Sequence, residues 1–189
     1  MQVTSKETYK VVRSILRDKE FKQYQISKKE KVTFSLVNRI VNWMVSRGYA
    51  AKRDGHYSLV SPAAILNLFP IYRQMKPFEI LVVSLPAKEA LRIMKSRSAL
   101  CLASALSFHD DYYRDSAIYA YIMDEKLIDE LKGLPKGFTH IELFREDLNP
   151  DDFERKKGAI ITNKARTMID LFCANKAYVA ERLIKREYA

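Results

Sequence analysis

The first third of the chain carries apolar residues at the spacing of an α-helix. Five of them follow the positions i, i+3, i+4, i+7 and i+8, and they are Val37, Ile40, Val41, Met44 and Val45. Thr33 precedes this run and is a good N-cap residue, while Gly48 follows it and can adopt the left-handed conformation that ends many helices. The pattern predicts a helix with one buried face.

Two further helices are predicted ahead of this one. A first helix from Lys6 to Arg17 is indicated by apolar residues at helical spacing, which are Tyr9, Val12, Ile15 and Leu16. A shorter supporting helix is predicted from Ile26 to Lys29, just before a turn that contains Lys31. The segment therefore has the order helix, helix, turn, helix.

A β-hairpin is predicted after the third helix. Two strand-like runs, Tyr49–Lys52 and His56–Leu59, flank Arg53, Asp54 and Gly55, and Asp-Gly is one of the strongest sequence signals for a tight hairpin. A helix-turn-helix followed by a short basic hairpin is the layout of a winged helix-turn-helix, whose second helix of the pair enters the DNA major groove.

The polar face of the helix after Thr33 has the chemistry of a DNA-reading surface, because its short amides, hydroxyl and guanidinium can hydrogen-bond base edges. We predict base contacts from Ser35, Asn38, Arg39 and Asn42. Contacts with the DNA backbone or a groove are predicted beside the turn and at the wing, from Lys28, Lys29, Lys31, Thr33, Arg53 and His56. Arg39 is the strongest candidate for specific readout.

Two other interpretations of the same segment remain open. It can be a small helical domain with solvated lysines, since a run of charge usually marks a solvated face. Many winged helices also bind protein instead of DNA, so the fold alone does not decide the function. In that case the chain is a protein-interaction module with only non-specific DNA affinity, whose C-terminal helices bind a toxin or a sister subunit.

The distribution of charge favours DNA. The chain has 33 Lys and Arg against 23 Asp and Glu, a net charge of +10. Residues 1–60 hold 13 basic and 5 acidic side chains, whereas the other residues hold 20 and 18. A positive charge concentrated on the predicted DNA-binding segment is what a nucleic-acid interface requires.

The remaining sequence predicts a mixed α/β domain. The apolar run Phe78–Leu85 is typical of a strand that is buried on both faces, and Pro86 ends it. Further strands are predicted at Ser116–Met123, Phe138–Phe144 and Ala159–Thr162. Helices are predicted at Ser61–Leu68, Ala87–Met94, Ala99–Phe108 and Asp124–Leu131. Another helix is predicted to begin after an N-cap at Thr162 or Asn163, and a last one covers Tyr178–Ile184.

These patterns predict an α+β protein in three parts: a winged helix-turn-helix domain at 1–60, a connecting helix and linker at 61–76, and a mixed α/β domain at 77–189. No apolar run reaches the roughly 20 residues of a membrane span, and the N-terminal segment lacks the apolar core of a signal peptide. We expect a cytoplasmic protein with no membrane partner. Two half-sites would multiply DNA affinity, which makes a homodimer plausible.

The sequence offers little for catalysis, so we expect no enzymatic activity, no cofactor and no metal. Five glycines, none in a G-x-G-x-x-G or P-loop arrangement, exclude those nucleotide-binding motifs. His109 begins a His-Asp-Asp run that could hold a metal, but a solvated helix end explains it as well. Cys101 and Cys173 lie in apolar helical patterns and are expected to be buried thiols. Asp170 is expected to pair with Arg166 one turn earlier.

Two segments of the second domain resemble a known family when they are taken together. They are SALSFH at 104–109 and RTMIDL at 166–171, the second following AIIT at 159–162. In this order they resemble the AbiEi-like antitoxins and transcriptional regulators of type IV toxin–antitoxin systems. That family joins an N-terminal winged helix to a mixed α/β antitoxin domain.

The resemblance implies a repressor that binds the DNA of its own operon and whose second domain counteracts a nucleotidyltransferase-like toxin. Lys31 departs from the pattern, because the turn of such helix-turn-helices often has glycine there. If Lys31 takes a positive φ angle, the strain is expected to cost about 1 kcal/mol.

Overall fold

The computed structural model describes residues 5–71, 73–145 and 150–189, and all structural statements below concern these residues. The predicted ranges 1–60, 61–76 and 77–189 therefore include four, one and four residues, respectively, that lie outside the description. Within it the chain has mixed α+β structure, as the sequence predicted. It divides into two compact units, which are Met1–Tyr72 together with Ile184–Ala189, and Arg73–Leu183. We call these unit 1 and unit 2.

Unit 1 contains four helices and three short strands. The helices are α1 (Lys6–Asp18), α2 (Gln23–Glu30), α3 (Phe34–Ser46) and α4 (Pro62–Leu66), with a 3-10 turn at Phe69–Ile71. The strands β1 (Glu20–Phe21), β2 (Ala50–Arg53) and β3 (His56–Leu59) form an antiparallel sheet in the order β1-β3-β2. The predicted helices and hairpin are confirmed, and β1 is an additional strand that the sequence did not indicate.

The ends of α3 are set by the predicted cap residues. The Thr33 side chain accepts a hydrogen bond from the Leu36 N–H, which satisfies one of the free amides of the first turn. Gly48 has φ +70°, and the Tyr49 N–H donates to the Met44 carbonyl 2.8 Å away, which closes the helix end. Both cap predictions are therefore confirmed.

The buried face of α3 is narrower than the sequence predicted. Val37, Ile40, Val41 and Met44 are fully buried, but Val45 is 38% exposed. Val45 is the last member of the predicted stripe and follows Met44, which is fully buried, in the final turn of α3. The predicted burial of Val45 is wrong because, at 3.6 residues per turn, it lies at the margin of the face formed by Val37, Ile40, Val41 and Met44.

Unit 2 is built on a six-stranded mixed sheet in the order β4-β7-β6-β5-β9-β8. Its strands are β4 (Glu79–Val83), β5 (Ser98–Leu100), β6 (Ile118–Ile122), β7 (Thr139–Arg145), β8 (Phe153–Lys156) and β9 (Ala159–Thr162). Its helices are α5 (Ala87–Met94), α6 (Leu102–His109), α7 (Lys126–Lys132), α8 (Lys164–Cys173) and α9 (Ala177–Tyr188), whose last turn belongs to unit 1, and Pro150–Asp152 forms a 3-10 turn.

One face of this sheet forms the main hydrophobic core of unit 2. Apolar side chains from β4, β5, β6, β7 and β9 pack with residues of α5, α6 and α7. Ala90, Met94, Leu127 and Leu131 supply the buried sides of α5 and α7. On the opposite face Tyr121 of β6 contacts Arg166 of α8, so helices cover both faces of the central strands.

Two predictions for unit 2 are wrong. Phe78–Leu85 was expected to be buried on both faces, but β4 is an edge strand, and Ile80 and Val82 are 53% and 42% exposed. Ala99–Phe108 was expected to be one helix, but Ala99 lies in the central strand β5, and α6 begins only at Leu102. A short apolar run does not distinguish a strand from a buried helix, and strand order is a non-local property. Strand β8 was also missed.

Candidate nucleic-acid interface

The polar face of α3 is available for contact with a partner molecule. Ser35, Arg39 and Asn42 are exposed and Asn38 is partly buried. The Asn42 amide donates a hydrogen bond to the Asn38 side-chain oxygen, 3.2 Å away, so these two predicted base-contacting residues are already neighbours on one face. The remaining donors and acceptors of the two amides are of the kind that hydrogen-bond base edges.

Arg39 has no carboxylate as an ion-pair partner among the described residues. It is exposed, and no ion pair or side-chain hydrogen bond involves it within the described part of the chain. Its guanidinium is thus free to form the bidentate contact that arginine makes with guanine or with a phosphate. No other basic residue lies on α3.

A tight turn positions α3 relative to α2. Lys31 has φ 52° and ψ 45°, the left-handed conformation, so the positive φ considered for this residue is confirmed. Two hydrogen bonds stabilise the turn: the Val32 N–H donates to the Ser27 carbonyl at 3.1 Å, and the Ser27 hydroxyl donates to the Val32 carbonyl at 2.7 Å. The Ser27 side chain thereby offsets part of the strain at Lys31.

A buried ion pair fixes α2 against α1. Arg13 of α1 donates to Glu30 of α2 at 2.9 Å, and both side chains are almost fully buried. Arg17 approaches the other Glu30 oxygen at 3.4 Å. Because the carboxylate lies at the end of α2, the pair holds the helix just before the turn that leads into α3. Sequence patterns did not reveal this pair, since its partners are 17 residues apart.

The predicted backbone-contacting lysines do not share one environment. Lys28 and Lys31 are exposed and have no ion-pair partner among the described residues. Lys29 instead donates to both carboxylate oxygens of Asp18, at 2.6 and 2.8 Å. Its charge is therefore largely balanced within the protein, whereas the charges of Lys28 and Lys31 are not.

The hairpin presents the other predicted contacts at its tip. Asp54 and Gly55 have φ 45° and 79°, as a two-residue type I′ turn requires. Arg53 and His56 flank this turn and are exposed, and the His56 ring nitrogen Nδ1 lies 3.2 Å from the Asp54 carbonyl oxygen. The base of the hairpin is joined to α3 by an edge-to-face contact between Tyr49 and Trp43 with ring centroids 5.6 Å apart.

The structure adds exposed residues that the sequence patterns did not single out. Tyr24 on α2 is 68% exposed and Phe34 at the start of α3 is 50% exposed. Arg47 at the end of α3 and Lys52 on the hairpin are also exposed. The sequence did contain a signal for such residues, namely aromatic side chains near lysines in the predicted helix-turn-helix. A tyrosine hydroxyl can hydrogen-bond a phosphate, and an aromatic ring can pack on a thymine methyl group.

The RTMIDL segment of unit 2 forms a buried ionic network. Arg166 and Asp170 are fully buried and joined at 2.7 Å, as predicted, and Arg73 donates to the same Asp170 oxygen at 2.9 Å. Both arginines also donate to the Tyr121 hydroxyl, at 2.8 and 2.6 Å. Burial raises the pKa of Tyr121 well above its ordinary value, so the phenol stays neutral and accepts these hydrogen bonds.

The His-Asp-Asp run is not a solvated helix end. His109 and Asp110 are buried, which contradicts that expectation, and only Asp111 is exposed. The His109 ring nitrogen Nε2 lies 2.8 Å from the Thr162 carbonyl oxygen, and burial lowers the pKa of the ring. A neutral imidazole that donates to this carbonyl satisfies the geometry. Among the described residues no cluster of three or more His, Cys, Asp or Glu side chains is placed to hold a metal.

The two cysteines are buried free thiols, as predicted. Burial raises the pKa of the Cys101 thiol well above its usual value, which keeps it protonated and a poor nucleophile. Within the described ranges, none of the helices combines the length and the apolar character needed to cross a bilayer.

Comparison of the chain with protein-family models, with curated proteins and with solved structures yields no match.

Proposed function

We propose that unit 1 is a winged helix-turn-helix that binds double-stranded DNA, with α3 in the major groove and the β2–β3 hairpin as the wing. The observation that carries this proposal is the division of α3 into two faces. One face is buried, and the other presents Arg39 without a carboxylate partner beside the amides of Asn38 and Asn42. Such a face matches the donor and acceptor pattern of base edges.

The proposed contacts fall into two groups. Ser35, Asn38, Arg39 and Asn42 specify the sequence through base edges, while Lys28, Lys31, Thr33, Arg53 and His56 position the protein on the phosphates or in a groove. The Thr33 oxygen accepts from the Leu36 N–H, which leaves its hydroxyl hydrogen for a phosphate. Lys29 contributes less than its neighbours, because Asp18 already neutralises it.

This activity is binding rather than catalysis, and it corresponds to a cytoplasmic transcriptional regulator. The resemblance of 104–109 and 166–171 to the AbiEi-like family extends the proposal to a repressor of its own operon, with a nucleotidyltransferase-like toxin as partner of unit 2. Arg166 and Asp170, the charged residues of the second segment, are buried in unit 2. We therefore assign them to the stability of this unit and not to partner contact.

Fluorescence anisotropy with the full chain tests the proposal. The protein is titrated against a duplex from upstream of its own gene and against a scrambled duplex of equal composition, at two salt concentrations. We expect the upstream duplex to retain its preference at the higher salt, because base contacts are less salt-dependent than phosphate contacts. Equal binding of both duplexes, lost together as salt rises, would leave only a non-specific electrostatic surface.

A second candidate function, self-association, is favoured by the edge of the sheet in unit 2. Among the described strands, β4 lies at the edge of the sheet beside β7. Its outer face carries Ile80 and Val82, both exposed, next to the partly exposed Phe78. An exposed apolar edge strand is a template for pairing with another strand. A second copy is the occupant we propose, because two identical edge strands can pair with each other around a two-fold axis.

Light scattering coupled to size-exclusion chromatography tests this dimer. Ile80→Lys and Val82→Lys are expected to convert the dimer to monomer, since each puts a charge into the shared apolar face. Val60→Lys changes a similarly exposed valine of unit 1 and is the matched control. A wild-type protein that is monomeric at all concentrations would rule out self-association while leaving the DNA-binding proposal standing.

A further inference from the structure

Unit 2 contains a cleft of about 630 Å³ that none of the roles above uses. Its floor is apolar and comes from α5, β5, α6 and β6, through Leu91, Leu100, Ala103, Phe108 and Ile118. Sites for small organic molecules have volumes of about 300–1,000 Å³ and mostly apolar linings. In size and lining, this cleft matches such a site.

The rim of the cleft is positively charged. Lys88 of α5 and Lys157, in the turn between β8 and β9, line it. An adjoining lobe of about 320 Å³ shares both lysines with the main cleft and adds Arg92 and Lys95. None of these four cations has an ion pair or side-chain hydrogen bond in the part of the chain that the structure describes. Four such cations around one concavity make a site that attracts anions.

The carboxylates that reach the cleft do not cancel this charge. Asp111 is paired with Arg114 at 2.9 Å, and Asp115 with Lys176 at 3.1 Å. Each carboxylate has its ion pair with a cation outside this group of four, although Lys157 also lowers the pKa of Asp111 electrostatically. Across the cleft and its adjoining lobe, the lining has five cations, Lys88, Arg92, Lys95, Arg114 and Lys157, against the two carboxylates of Asp111 and Asp115.

The first of the two family-like segments supplies a polar group to the same cleft. Ser104 and Ser107 of α6 both line it. The Ser104 oxygen accepts a hydrogen bond from the Tyr119 N–H at 2.9 Å, so its hydroxyl hydrogen remains available as a donor. The Ser107 hydroxyl donates to the Ser104 carbonyl at 2.8 Å. Ser104 is thus a hydrogen-bond donor near the rim cations.

The backbone around the cleft is held in uncommon conformations. Leu102, the buried first residue of α6, has φ 49°, and Lys157 has φ 49° in the turn that brings its side chain to the cleft. Non-glycine residues in this region carry strain, and such strain is concentrated at ligand-binding and functional sites. The φ angle of Lys157, followed by Gly158 at 75°, is what the two-residue turn between β8 and β9 requires, so the strain that accompanies the cleft is that of Leu102.

We propose that this cleft binds an organic anion with an apolar body, that is, a carboxylate or phosphate attached to a hydrocarbon or aromatic group. The apolar part lies on the floor around Leu91 and Phe108, and the anionic group lies between Lys88 and Lys157 and accepts from Ser104. The site lies wholly within unit 2. Its existence does not depend on DNA binding by unit 1, so the two proposals fail independently.

The test uses the full chain and a fluorescent amphipathic anion, 8-anilinonaphthalene-1-sulfonate. Decanoate, decyl phosphate and uncharged decanol are then added as competitors. We expect both anions to displace the dye and decanol to require at least about tenfold higher concentration, because it lacks the charge that the rim attracts. A lower competing concentration of decyl phosphate than of decanoate would identify phosphate as the preferred anion, and the reverse order would identify carboxylate.

Charge reversals locate the site. Lys88→Glu and Lys157→Glu are each expected to weaken dye and decanoate binding about tenfold. Lys136→Glu makes the same charge change at an exposed lysine that does not line the cleft and is expected to change neither. Ser107→Trp fills the cleft and is expected to abolish binding, with circular dichroism confirming that the variant folds. Displacement by decanol as efficient as by decanoate, or equal weakening by Lys136→Glu, would overturn the proposal.

Discussion

The buried network around Arg166 in unit 2 and the polar surface around α3 in unit 1 treat positive charge in opposite ways. In the interior of unit 2, Arg166 and Arg73 are tied to Asp170 and Tyr121 in a buried network. On the surface of unit 1, Arg39 and the cations beside the turn and wing have no carboxylate partner within the described residues, with Lys29 as the exception. The first arrangement holds a fold together, and the second leaves charge available to a molecule outside the chain.

This contrast shows why a count of basic residues is a poor guide to partners. A cation that is buried and paired costs desolvation free energy that its partners must offset, so its removal exposes that cost as lost stability. An exposed cation without a partner contributes little to stability, so its removal is expected to change binding alone. Substitution of a buried, paired arginine is therefore expected to lower stability, whereas substitution of an exposed, unpaired one is expected to lower binding.

The largest expected effect is on the stability of unit 2. Arg166→Met removes a fully buried cation and leaves the Asp170 carboxylate with Arg73 alone, which should lower the free energy of unfolding by about 3 kcal/mol. Urea unfolding followed by circular dichroism measures the loss. Arg155→Met, at an exposed position of β8, is the control and should cost less than about 0.5 kcal/mol. Equal losses in both variants would remove the distinction between the two kinds of cation.

The next effect is on DNA recognition. Arg39→Ala should weaken binding to the specific duplex by about 1–3 kcal/mol and relax the preference at one base-pair position, with little change in stability. Arg155→Ala removes an exposed arginine of β8 in unit 2 and serves as the control, with no change expected on either duplex. Anisotropy titrations on specific and scrambled duplexes measure both quantities. If Arg39→Ala weakens binding to the specific and the scrambled duplex equally, Arg39 contacts the DNA backbone and not a base.

A smaller effect should separate two adjacent lysines. Lys28→Ala is expected to reduce the slope of log binding constant against log salt concentration by about 0.9, as loss of one phosphate contact requires. Lys29→Ala should change the slope less, because Asp18 already pairs with Lys29. Asp18→Asn releases Lys29 and should strengthen DNA binding at low salt. A larger effect of Lys29→Ala than of Lys28→Ala would show that the Asp18 pair breaks on DNA.

The smallest effect concerns pH. Burial lowers the pKa of His109 below 6.5, while the hydrogen bond to Thr162 and the nearby Glu154 oppose the shift. Because the unfolded chain takes up this proton more readily than the folded one, the stability that neutral His109 contributes is present above pH 6.5 and is lost as the pH falls below it. His109→Gln retains a hydrogen-bond donor for the Thr162 carbonyl but does not titrate. The free energy of unfolding of this variant should therefore decline less than that of wild type between about pH 7 and pH 5. Parallel declines would contradict this assignment.

Local chemistry made much of unit 1 predictable. Thr33 and Gly48 marked the ends of α3, and Asp54-Gly55 marked the hairpin, because caps and turns depend on a few adjacent residues. The pairs Lys29–Asp18 and Arg13–Glu30 could not be predicted in this way, since they join residues that meet only after the helices pack.

Unit 2 was less predictable for the same reason. Ala99 and the residues after it continue an apolar run with no turn signal, so nothing local separates β5 from α6. The exposure of Ile80 follows from the place of β4 at the sheet edge, which depends on the order of all six strands. The cleft is likewise assembled from α5, β5, α6, β6 and Lys157, and no segment contains it alone.

The central proposal is that the polar face of α3, on which Arg39 has no ion-pair partner among the described residues, reads DNA sequence. It is tested most directly by selecting duplexes from a random library with the full-length protein, in parallel for wild type and Arg39→Ala. We expect wild type to enrich a short motif, and we expect the motif selected by Arg39→Ala to lose its preference at one base pair while the other positions remain. A wild-type selection with no enriched motif, or the same motif from both proteins, would contradict it.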